Sequence, residues 1–153
     1  MPTITTPEKM KPFLTTKTMS EEYAKNLWYI VSGAVECGGL GGESWRFIAD
    51  PADKGYKDYN NAGEAKGIPY ANLLIRIKLR DCEGDEDMSE FQPVTAVWLH
   101  NKLLKFVADE KQPDWLRTMY AGMLATKEHP PEADAVSDDA VFQYCFMGEI
   151  VFG

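Results

Sequence analysis

Asn72-Leu73-Leu74-Ile75-Arg76-Ile77-Lys78-Leu79-Arg80 reads as a β-strand with one dry face and one wet face. Leu73, Ile75, Ile77 and Leu79 fall on one side, and Arg76, Lys78 and Arg80 on the other, the period of two that an extended chain imposes. Such a strand needs a partner strand at its edge and a second layer over its apolar face. Upstream, Glu43 to Ala49 carries Trp45 and Phe47 and reads as a short strand. Downstream, Asp81 to Asp87 reads as an acidic turn that leads into helices.

The second layer is legible in the apolar spacing. Tyr23, Leu27, Ile30, Val31, Ala34 and Val35 recur at three and four residues, which predicts a helix over about Glu21 to Glu36. Thr18 with Glu21 fits a capping box, Ser20 is the rival cap, and Gly38 and Gly39 stop the helix. Pro93 suits a first helical position, so a second helix is expected to run to about Asp109, with Val97, His100, Leu103, Leu104 and Val107 sharing its inner face. A third helix, Pro113 to Thr126, carries Trp115, Leu116, Met119 and Met123 and ends before His129-Pro130-Pro131. Ser137 reads as the cap of a fourth, Asp138 to Met147, stopped by Gly148. The sum is an α+β fold, a small antiparallel sheet packed by about four helices. It is expected as a single domain over residues 18–153, preceded by a flexible or extended arm over residues 1–17.

Composition narrows the function classes. The chain has 153 residues and a net charge of −8, with no basic run, which argues against direct nucleic-acid binding. Cys37, Cys82 and Cys145 form no CxxC, so reduced thiols in a cytoplasmic compartment are expected. The first residues lack the apolar core of a signal peptide, and no apolar run is long enough for a membrane span. The two histidines, His100 and His129, form no metal-ligand motif, and there is no Gly-x-Ser-x-Gly elbow. The alternating acids Asp81, Glu83, Asp85 and Asp87 fail the calcium-loop pattern, because Glu86 stands where glycine is needed and Gln92 replaces the bidentate glutamate. No metal and no cofactor is expected.

The segment Gly38-Gly39-Leu40-Gly41-Gly42 is the most unusual stretch. It follows a helix and lacks Gly-Lys-Ser/Thr, so it is neither a P-loop nor a dinucleotide fingerprint. Its amides can still form an anion nest, with Arg46 adding a fork for phosphate and Trp45 a stacking surface. The bland alternative is a turn with Trp45 in the core. Tyr56 and Tyr59 lie in the long Gly- and Asn-rich stretch Asp50 to Pro69, and Arg76 lies on the wet strand face. Glu36 ends a helix against the dipole, and Glu149 is the lone acid in an apolar ending.

Two segments resemble a known set. Ala34-Val35-Glu36-Cys37-Gly38-Gly39-Leu40 followed by Trp45 resembles a small-apolar-Glu-Gly-Gly-apolar-Trp motif, with Cys37 inserted and extra glycines before the tryptophan. Gln143-Tyr144-Cys145-Phe146-Met147-Gly148-Glu149-Ile150-Val151-Phe152-Gly153 resembles a Gln-Tyr-Ala-Leu-Phe-Gly-Glu-Ile-Val-Tyr-Gly ending. Together they are similar to widespread small bacteriophage accessory proteins. The resemblance implies a counter-defence role in the host cytoplasm.

Three functions stay open on the residues. The first is non-catalytic sequestration of a small phosphorylated, nucleotide-like ligand, through Gly38, Gly39, Gly41, Gly42, Trp45, Arg46, Tyr56, Tyr59 and Arg76, with Glu36 and Glu149 nearby. The second is inhibition of a host defence protein through the acidic stretches Asp81 to Asp87 and Glu132 to Asp139. The third is an enzyme using Glu36 and Glu149 as a carboxylate pair. The apolar ending Phe146 to Phe152 is explained by burial against another subunit in a homo-oligomer, and equally by docking into its own core.

Overall fold

A computed structural model describes residues 18–36, 45–53, 68–81 and 86–150. Its sheet has β1 (Trp45–Ala49) and β2 (Leu74–Asp81) side by side, with β3 (Glu86–Asp87) and β4 (Gln92–Thr95) following end to end along the far edge of β2. All pairings are antiparallel. The strand singled out by its alternation is therefore the centre of the sheet. Ile75, Ile77 and Leu79 are buried, facing Val94, Ala49 and Phe47 on the neighbouring strands or one step away. Each such side chain contributes about 1.5–3 kcal/mol on burial. A one-residue slip would turn the whole apolar row outward, so the register is fixed.

The far edge corrects the sequence reading. Pro93 does not open a helix. It lies in β4 opposite Arg76, and the helix begins three residues later. Proline is tolerated there because an edge strand leaves that N–H position unused. Between β3 and β4 the chain stays hooked to the sheet. Met88 and Ser89 N–H both donate to Leu79 O (2.8 and 3.2 Å), and Leu79 N–H donates to Ser89 Oγ (2.9 Å). What reads as a turn up to Asp87 is thus already sheet at Glu86 and Asp87.

Four helices form the second layer: α1 (Glu21–Glu36), α2 (Ala96–Ala108), α3 (Asp114–Thr126) and α4 (Ala135–Met147). Their starts are set by short polar side chains. Ser20 Oγ accepts from Tyr23 N–H (3.2 Å) and Thr95 Oγ1 from Trp98 N–H (3.1 Å). Ser20, not the Thr18–Glu21 box, caps α1. Glu21 is engaged elsewhere, its carboxylate accepting from Tyr70 and Ala71 N–H (2.8 and 3.1 Å) in the 3-10 turn Tyr70–Asn72. Asp134, not Ser137, caps α4. Asp134 Oδ1 takes Ser137 N–H while Ser137 Oγ takes Asp134 N–H, both at 2.9 Å, a reciprocal box that starts the helix at Ala135. At its end Gly148 adopts φ 85°, the left-handed stop that glycine permits.

α4 is enclosed by α1 and α2, which explains why its buried residues, Val141, Phe142, Gln143 and Cys145, run round the helix rather than along one stripe. Phe142 and Phe146 meet Phe47 of β1 edge-on, with ring centroids 4.8 and 5.2 Å away. These contacts lock the helical layer onto the sheet.

Two buried polar groups oppose one another in their pH response. His100 is the satisfied core histidine expected from its place on an apolar face; its Nδ1 lies 2.7 Å from Tyr23 Oη. Burial, aided by the Lys127 charge, lowers its pKa to about 4. Asp139 is 5 % exposed, with Oδ2 accepting from Gln143 Nε2–H (3.0 Å) and Oδ1 unpartnered, and burial raises its pKa to about 6. The folded chain thus refuses a proton at His100 that the unfolded chain accepts below about 6.5, so stability falls with acid from there toward pH 4. Asp139 does the reverse: its folded form holds a proton that the unfolded chain has released, and stability falls as pH rises from about 4 through 6. Asp139→Asn is expected to raise the unfolding free energy at pH 7 by about 1–3 kcal/mol. In that variant the histidine's acid sensitivity is unmasked, a fall of about 2 kcal/mol between pH 6.5 and 5, read by urea titration.

Candidate binding groove

The residues expected to hold a phosphorylated ligand are only partly within the described structure. Gly38, Gly39, Gly41, Gly42, Tyr56 and Tyr59 lie outside the described residues, as do the N-terminal arm, Cys37, Cys82 and residues 151–153. Glu36 is the last residue of α1, and Trp45 and Arg46 open β1 in register with Asp81 and Arg80. Glu149 is exposed just beyond the Gly148 stop. Arg76 is exposed on the wet face of β2. Its side chain pairs with Asp53 (2.9 Å), whose other oxygen accepts the Arg76 backbone N–H (2.6 Å). The pair ties the turn after β1 to β2.

A cavity of about 470 Å³ forms instead along α3 and the loop that follows it. Helical spacing makes two adjacent rows on this helix. Leu116, Tyr120 and Leu124 turn into the core. Trp115 and Met119 stand one step round, on the groove side, with Met123 beneath them. Trp115 is 63 % exposed. A side-chain carbon at Gly122 would meet nothing within 4 Å, so glycine there leaves the groove open. Pro130 and Pro131 form the opposite wall, and Glu128 and Glu132 line it as well.

That wall is pinned from behind. Asn26 Nδ2–H on α1 donates to Lys127 O (2.9 Å), where the chain leaves α3 through a left-handed residue at φ 66°. His129 Nε2 lies 3.0 Å from both carboxylate oxygens of Asp138 on α4. Tyr120 Oη–H of α3 donates to Asp138 Oδ1. Asp138 is buried, and its position is tight. A β-carbon on Gly33 of α1 would lie 3.0 Å from Asp138 Oδ2 and 3.2 Å from its Cβ. Glycine at 33 is what lets α1 approach the carboxylate so closely. The Tyr29 ring meets the His129 ring edge-on at 6.2 Å. A buried carboxylate is tolerated here because Tyr120 and His129 donate to it and because it sits near the positive end of α4.

His129, Asp138, Tyr120 and Gly33 come from four parts of the chain, and no spacing in the sequence joins them. The available signals were the His-Pro-Pro stop and a glycine in mid-helix with no turn to make. Among the described residues no group of three or more His, Cys, Asp or Glu could hold a metal, and no helix is long and apolar enough to cross a membrane. No protein-family model, no curated protein and no solved structure matches this chain.

Proposed function

We propose that this protein acts by capture, and that the α3 groove takes a basic, amphipathic segment of a partner protein. The observation that carries this reading is Trp115, exposed over an apolar floor of Met119 and Met123 with Glu128 and Glu132 at the margin. Methionine-lined grooves adapt to apolar side chains, and aromatic residues dominate interface energetics. Acidic residues at the margin, on a chain of net charge −8, favour a partner bearing lysine and arginine. The anchored wall means that little ordering is needed on binding. A host defence protein is the partner that the resemblance to phage accessory proteins would suggest. The phosphorylated-ligand reading rests on Trp45 and Arg46 at the start of β1, on glycines and tyrosines that lie outside the described residues, and on Arg76, which pairs with Asp53.

The test is calorimetric titration of the full chain with a synthetic amphipathic helix of leucine and lysine. Saturable binding that weakens with added salt is expected, on the order of micromolar. Equal binding by a leucine–glutamate helix, or none by either, would overturn the reading. Heat from a panel of cyclic nucleotides and ADP-ribose, with no heat from the peptides, would favour the small-ligand alternative.

A further inference from the structure

The His129–Asp138 contact fixes which nitrogen of the imidazole carries the proton. A carboxylate only accepts hydrogen bonds, and Asp138 Oδ1 already accepts from Tyr120. Nε2, 3.0 Å from both oxygens, therefore bears the hydrogen. In the neutral ring Nδ1 is then an acceptor. It has no partner among the described residues, His129 lines the groove, and its side chain keeps 24 % of its surface exposed. Resting on the groove reading above, we propose that His129 Nδ1 is a specificity-determining acceptor that selects a hydrogen-bond donor on the partner segment, such as a lysine or arginine head group beside an apolar anchor, and that protonation of His129 releases it.

The chemistry has a definite sign. Taking up a proton converts Nδ1 from acceptor to donor and adds a positive charge beside a cationic ligand. Both changes oppose binding of a basic segment. The other groups facing this ring are Asp138 from α4, with Tyr120 of α3 bonded behind it, Tyr29 from α1, and Glu128 and Glu132 along its own loop. The chain's other histidine, His100, stays neutral down to about pH 4. Asp139, raised to about 6, titrates in the same window, so each measurement is repeated in Asp139→Asn.

The experiment titrates the leucine–lysine helix into the full chain at about pH 8 and pH 5.5, the limits between which a histidine changes charge. Wild type and Asp139→Asn are expected to bind about tenfold more weakly at the lower pH, the size of one charge-assisted contact. His129→Gln, which keeps an acceptor but cannot charge, should bind at both pH values with no such loss. His129→Phe should bind weakly at both. No binding at pH 8 would overturn the groove reading itself. Binding that does not change with pH, or that weakens equally in His129→Gln, would overturn this inference alone. Nitrogen-15 spectra of the imidazole give a ligand-free check on the wild-type chain. The Nε2–H form is expected at pH 8, and the Nδ1–H form would overturn the assignment.

Discussion

Asp138→Ala is expected to lower the unfolding free energy by about 3–5 kcal/mol, the range for removing one member of a buried polar cluster. The reason lies in what remains. Tyr120 Oη, fully buried, loses its acceptor, and His129 Nε2–H loses both of its own. A void opens against Gly33, where α1 had come within van der Waals reach of the carboxylate. The melting temperature should fall by roughly 10 °C for a chain of this size. Asp138→Asn keeps the shape and one acceptor, so its loss is smaller, about 1–2 kcal/mol. A double-mutant cycle with Tyr120→Phe separates the shared bond from the rest, and the two losses should be clearly less than additive. A loss in Asp138→Ala below about 1 kcal/mol would show that the carboxylate does not hold these elements together.

Trp115→Ala is expected to act on binding and leave the fold alone. With 63 % of its surface exposed, this side chain adds little to the core, and the change in stability should stay within about 0.5 kcal/mol. Affinity for the leucine–lysine helix should fall at least tenfold, because a tryptophan at the centre of a contact is typically worth about 2 kcal/mol or more. Melting curves and titrations on the same preparations read both effects. Unchanged affinity would remove Trp115 from the contact, and with it the observation on which the proposed function rests.

The contrast between these two substitutions shows where sequence reading reached and where it stopped. The row 115, 119, 123 and the row 116, 120, 124 are both legible as apolar helical spacing. Nothing local says which one turns inward. Packing against α2 and the rest of the core buries Leu116, Tyr120 and Leu124, and Met123 with them, and leaves Trp115 over the loop carrying Pro130 and Pro131. The helix start at Ala96 was misplaced for a similar reason. Pro93 favours a first helical turn locally, yet β2 offers an open edge that Pro93 can join without a missing donor being felt.

The sequence by itself determined the central strand with its dry and wet faces and the presence of four helices. Those features follow from periodicities of two and 3.6 and from turn chemistry, which act over a few neighbouring residues. Only the tertiary structure decided that Gly33, Tyr120, His129 and Asp138 meet, and that Trp115 faces out over a groove. Hydrogen bonds between residues far apart in the chain, and the burial of one helical row over its neighbour, depend on how the layers pack.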